Sequence, residues 1–151
     1  MQWLMGNTQS RNKVNFDDIR FLIKQSKQTS TDIILISTLP EGQQDCLIKG
    51  TTPCYEEVSI INQCIQKSQN SKIIVYGKNS NDDSVNKKYE QLRSLGFTEV
   101  YLFIGGLFEW LMLQDIYGDD EFPTTKKIVD ILKYRPIGIF TENRNLLLRE
   151  G

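Results

Sequence analysis

Lys72-Ile73-Ile74-Val75-Tyr76-Gly77 is the stretch on which the fold turns. Four consecutive apolar side chains closed by a glycine make the short continuous run that a strand buried on both faces requires. Two runs share its character: Asp32-Ile33-Ile34-Leu35-Ile36-Ser37 upstream and Val100-Tyr101-Leu102-Phe103-Ile104 downstream. Between them the apolar spacing becomes helical. Asn15 is placed to cap a helix whose Phe16, Ile19, Leu22 and Ile23 share a face, with Asp17 and Asp18 in the first turn, where the dipole favours them. Residues 55–68 carry Val58, Ile60, Ile61 and Ile65, residues 83–94 carry Val85, Tyr89 and Leu92, and 107–114 reads as a last core helix. Gly96 stands where a left-handed residue ends the third of these. Alternation of strand and helix predicts an α/β fold with a mainly parallel central sheet and helices on both faces.

A chain of 151 residues is one domain by length. Residues 1–13 are polar and aperiodic and read as an N-terminal extension, 14–114 as the domain, and 115–151 as a C-terminal extension. Phe122-Pro123-Thr124-Thr125 reads as the exit from the domain, with a short helix expected over 124–134, capped by Thr124 or Thr125. Trp3 and Leu4 at one end, and Leu146-Leu147-Leu148 at the other, need a surface to cover them. They are the candidate interaction residues, since a buried aromatic or leucine cluster anchors an interface.

Composition removes several function classes. Histidine is absent, so no imidazole base, Ser-His or Cys-His pair, or histidine metal ligand can exist. The net charge is -1, too small to draw the chain onto nucleic acid. The charge is uneven, however: residues 1–30 and 122–151 each carry +3, leaving -7 on the middle. Three cysteines, Cys46, Cys54 and Cys64, form no CxxC pair and suit a reducing interior. No run is long enough to span a bilayer, and the first residues are too weakly apolar for a signal peptide. The expected location is intracellular, cytoplasmic or cytoskeletal, with a mitochondrial presequence left open because the first acidic residue is Asp17. Met5-Gly6-Asn7-Thr8-Gln9-Ser10 fits the N-myristoylation pattern, but only a chain started at Met5 would expose Gly6 to acylation, and membrane contact depends on that.

Ligands of open parallel sheets bind beyond the carboxyl ends of the strands, which directs attention to the loop Gly77-Lys78-Asn79-Ser80-Asn81-Asp82-Asp83-Ser84. Its amides could cradle an anion at a helix N-terminus, but Asp82 and Asp83 would repel one, and capping the helix is their expected role.

The segment Leu95-Gly96-Phe97-Thr98-Glu99-Val100-Tyr101-Leu102-Phe103-Ile104-Gly105-Gly106-Leu107-Phe108-Glu109-Trp110 resembles the closing pattern of the rhodanese-like domains: Gly-Phe, a strand with an early Val, then Gly-Gly, three residues and Trp. Cys46-Leu47-Ile48-Lys49-Gly50-Thr51 resembles that family's Gly-His-Ile-x-Gly-Ala segment, with Leu47 at the histidine position. Ile33 to Ser37 resembles the strand that normally ends in Asp and leads to Arg, where this chain has Ser37 and Thr38. The resemblance covers about residues 14–114. It implies an enzyme with a cysteine directly after the second buried strand and an arginine near the end of its loop, and places Gly77 and Asp82 there instead. Sulfur transfer needs a nucleophilic thiolate in a positive, amide-lined bowl. The expectation is therefore a catalytically inactive rhodanese-like domain, a structural or protein-interaction subunit of a larger intracellular assembly, with no cofactor and no metal. Its partners would be other protein subunits and not nucleic acid. The alternative is a divergent sulfurtransferase or phosphatase-like enzyme using a relocated cysteine, Cys46 or Cys54, or a phosphate site in the 77–84 loop. Cys64 reads as a small core residue.

Overall fold

The structure, a computed structural model, describes residues 12–28, 33–67 and 71–141. Trp3, Leu4, Gly6 and Leu146-Leu147-Leu148 lie outside the described residues. In chain order the elements are α1 (Phe16–Gln28), β1 (Ile33–Ser37), α2 (Cys54–Lys67), β2 (Lys72–Tyr76), α3 (Ser84–Ser94), β3 (Val100–Phe103) and α4 (Gly106–Tyr117), with single 3-10 turns at Glu41–Gln43 and Ile131–Tyr134. The strands pair in parallel in the order β1-β2-β3, with Leu35 beside Ile74 and Ile74 beside Tyr101. Isolated parallel pairings continue the sheet at both edges, Thr51 beside Leu35 and Lys13 beside Leu102.

Period-two side-chain alternation divides each strand between two apolar layers. Leu35, Ile74, Tyr76 and Phe103 face α1 and α4, where Ile19, Leu107, Trp110 and Leu111 are buried. Ile34, Ile36, Ile73, Val75, Val100 and Leu102 face α2 and α3, meeting Ile61, Val85 and Leu92. The expected α/β architecture, a parallel sheet covered on both faces, is present.

Local signals behave as their chemistry requires. The Asn15 side chain accepts the Asp18 N–H and the Asp18 carboxylate accepts the Asn15 N–H, both at 2.9 Å, a reciprocal cap at the start of α1. Gly96 has φ +102° directly after α3. In α2 the inward residues are Ile60, Ile61 and Cys64, whereas Val58 lies exposed, so the apolar face is rotated from the one expected.

The C-terminal segment departs most from the sequence reading. Phe122 does not leave the domain: it is 2% exposed, edge-on to Trp110 at 5.1 Å between centroids and beside Phe16 at 5.7 Å. Residues 124–134 form no continuous helix. Thr125 N–H donates to the Leu47 carbonyl at 2.8 Å, Lys49 N–H donates to the Pro123 carbonyl at 3.0 Å, and Ile48 pairs antiparallel with Thr124. A backbone drawn out to make those bonds cannot also make helical ones. Trp110 Nε1 donates to the Pro123 carbonyl at 3.2 Å and Gln114 Nε2 to the Phe122 carbonyl at 2.7 Å, so α4 holds the returning segment directly.

Candidate functional site

The carboxyl edge of the sheet gathers the ends of β1 and β2, the loop 77–83 and the N-terminus of α3. Gly77 is buried, and a Cβ built on it would lie 2.5 Å from Asp82 Oδ2 and 3.0 Å from Val85 Cγ1. Asp82 reaches back across the loop. Its Oδ2 accepts the Lys78 N–H at 2.9 Å, and its Oδ1 accepts the Ser84 N–H at 3.0 Å and the Ser84 hydroxyl at 2.5 Å. Burial alone would raise the Asp82 carboxyl pKa. The bonds from Lys78 and Ser84, helped by the Lys78 charge, outweigh it and hold the group below its ordinary value.

Asp82 is therefore the residue that satisfies the first turn of α3. Asp83, at the cap position itself, makes no side-chain capping bond. The expectation of a capping role holds for the first aspartate and fails for the second, because Asp83 has helical backbone angles (φ -71°, ψ -13°) and its side chain does not turn back over the amides.

Further bonds tie the loop to itself and to its neighbours. Asn81 N–H donates to Asn79 Oδ1 at 3.0 Å and Asp82 N–H to the Asn79 carbonyl at 3.2 Å. The leading amides of α4, Leu107 and Phe108, donate at 2.9 Å to the carbonyls of Gly77 and Lys78. Gly106 makes that approach feasible: its φ is +67°, and a Cβ there would meet the Gly77 carbonyl oxygen at 2.6 Å. Buried Asn79 donates to the Tyr134 carbonyl at 2.9 Å, fastening the C-terminal segment to the loop. A hydroxyl relay, missed in the sequence because serine and threonine carry no periodic signal, joins Ser84 Oγ to Thr38 Oγ1 at 2.6 Å.

The cysteines separate sharply. Cys46 is wholly buried and its Sγ donates to the Lys126 carbonyl at 3.2 Å. Burial pushes its thiol pKa up, the reverse of the lowered value that a nucleophilic thiolate needs. Cys64 sits half-buried in the layer under α2, as expected. Cys54 opens α2 and lines a cleft of about 400 Å³ with Thr38, Ser84, Lys87 and Lys88. Among the described residues no group of three cysteine or carboxylate side chains could hold a metal ion, and no helix is long and apolar enough to cross a membrane.

A parallel sheet with a helix pair on each face and a tight loop after its second strand defines a class of α/β domain found among known proteins. Residues 40–113 match the family model of the rhodanese-like domain, and the chain carries a domain of that family. No curated protein matches the sequence. Among solved structures, a protein from Bacillus halodurans is similar at 16% identity with a TM-score of 0.59, covering 95% of this chain and 97% of that one. A full-length protein from Lactobacillus plantarum is similar at 14% identity and TM-score 0.56, over 83% of this chain and 97% of that one. Ygr203w, a yeast protein tyrosine phosphatase of the rhodanese family, is similar at 16% identity and TM-score 0.52, over 82% and 96%. These likenesses establish a shared fold.

Proposed function

We propose that this chain is a catalytically inactive rhodanese-like domain that serves as a structural or protein-interaction subunit of a larger assembly. One observation carries the reading. Where family enzymes place the nucleophile, this chain has Gly77, and the Asp82 carboxylate occupies the space a side chain there would enter. Thiolate chemistry needs a sulfur and an electropositive bowl. Here a fixed negative charge has taken loop amides that would otherwise face an anion. The bulk of the domain, with both apolar layers filled, supplies rigidity.

The test is sulfur transfer from thiosulfate or mercaptopyruvate to an acceptor, run on purified full chain beside phosphatase activity on a generic aryl phosphate. Absence of both, together with partners that co-purify in constant ratio from the native source, is the expected result. Turnover abolished by a cysteine substitution would overturn it.

A second reading is favoured by the position of Cys54. It lies in the first turn of a 14-residue helix, in a cleft that also contains Lys87 and Lys88. Glu57 lines the same cleft and pairs with Lys88 at 2.9 Å, so Lys87 is the neighbouring cation outside that ion pair. A helix N-terminus and a neighbouring cation are the environment that stabilises a thiolate. In this reading the protein is a divergent sulfurtransferase or phosphatase-like enzyme with its thiol on the neighbouring helix, and Cys54→Ser abolishes its turnover.

A further inference from the structure

We propose that the cleft between the 77–83 loop and the returning C-terminal segment binds an acidic peptide segment of another protein, carried by Lys78, Lys133 and Arg135. This rests on the interaction-subunit reading and names the chemistry of one contact.

The three cations line a single cleft of about 370 Å³ together with Pro136, Ile137 and Thr141, and no carboxylate lines it. None of the three takes part in an ion pair among the described residues, although Arg20, Lys72, Lys88 and Lys127 all do. The nearest carboxylates are Asp82, on which the Lys78 charge acts, and Asp45, which lines the adjoining hollow with Lys78 and Lys133. Their placement is supported from below. Arg135 Nη1 donates to the Leu132 carbonyl at 2.8 Å, the Lys133 ammonium lies 5.1 Å from the Tyr134 ring centroid, and the Tyr134 carbonyl is held by Asn79. Three like charges facing one cleft repel each other, and an anion placed between them relieves that repulsion. Lys133 and Arg135 lie outside residues 40–113, so the cleft is assembled by the returning segment and not by the family-matched part alone.

The occupant follows from what surrounds the charges. Ile137, Ile139 and Phe140 are 73%, 75% and 87% exposed, immediately after the cations in sequence. A small inorganic anion would use the charges and leave these side chains in water. A long polyanion would run onto a domain whose middle carries -7. A short peptide with carboxylates and one or two aliphatic residues matches both features, charge for steering and apolar contact for residence.

The probe is a fluorescein-labelled peptide, Glu-Asp-Leu-Glu-Ile-Asp-Glu-Asp, titrated with the full chain and followed by anisotropy. A second peptide has every acid replaced by its amide, and inorganic phosphate and a twelve-residue oligothymidylate are run alongside. The expected result is binding of the acidic peptide at least tenfold tighter than the amide version, weakened several-fold between 50 and 300 mM salt by screening. Lys133→Glu with Arg135→Glu lowers affinity at least tenfold, Lys78→Gln lowers it several-fold, and Lys127→Glu, away from the cleft, leaves it unchanged. Equal binding of both peptides, indifference to all cleft variants, or preference for phosphate or the oligonucleotide overturns the proposal. A tagged Lys133→Glu, Arg135→Glu chain expressed in the native source separates the two levels. Companions retained by that variant sink the peptide cleft and leave the subunit reading standing, whereas a wild-type chain with no constant companions sinks the reading beneath it.

Discussion

The Oδ2 atom of Asp82 stands 2.5 Å from the point to which a Cβ on Gly77 would project, so the two positions are coupled sterically as well as through the loop's hydrogen bonds. A side chain at residue 77 requires the carboxylate to leave, and a carboxylate that leaves releases the amides of Lys78 and Ser84.

Gly77→Cys therefore supplies a thiol without supplying a site. The substitution is expected to destabilise the domain by ~1–3 kcal/mol through overpacking and to confer no sulfur transfer that the unsubstituted chain lacks. Asp82→Ala in the same chain removes the obstruction, so the double variant loses less than the sum of the two single losses. Urea denaturation of the four proteins measures the coupling.

Because the Asp82 pKa is held below its unfolded value, its contribution to stability is complete above the unfolded carboxylate range, near pH 4, and is lost as pH falls through the lower folded value. Urea midpoints measured from pH 6 down to pH 2 should show this loss in the wild type. In Asp82→Asn that component disappears, and the two curves converge at the acid end.

Tyr76 is wholly buried, and its hydroxyl closes a ring of bonds. It accepts the Ile48 N–H at 3.1 Å and lies 2.7 Å from Thr51 Oγ1, which donates to the Ile48 carbonyl at 2.6 Å. Tyr76→Phe keeps the ring volume and strands a buried N–H, which costs ~1–3 kcal/mol. An unchanged denaturant slope with a lowered midpoint would verify a local loss; a neutral result would mean that Ile48 finds another acceptor.

Phe122→Ala removes the aromatic that joins Trp110, Phe16 and the returning segment. Deletion of a buried aromatic costs ~3–5 kcal/mol, whereas Phe140→Ala, at an exposed position, should be nearly neutral. Thermal melts of the two variants discriminate a segment built into the core from one lying loosely upon it.

Legibility in the sequence followed the range of the interaction. Ile73 to Tyr76, the Asn15 cap and Gly96 were readable because their signals lie within a few residues: a continuous apolar run, a capping asparagine before an apolar helical face, and a glycine at a helix end. The return bond between Asp18 and Asn15 came from the structure. The helical face of α2 was readable only approximately, since Val58 fits the spacing yet faces solvent.

The amino-acid sequence by itself determined the alternating α/β pattern, the buried parallel strands and the lack of a thiol in the loop after β2, because these depend on local periodicity and residue identity. Tertiary structure alone decided that Phe122 is core, that Cys46 is sealed beneath Lys126 while Cys54 lines a cleft, and that Lys78 meets Lys133 and Arg135. Each of those outcomes joins residues dozens of positions apart. The bonds and burial that make them leave no repeating trace along the chain.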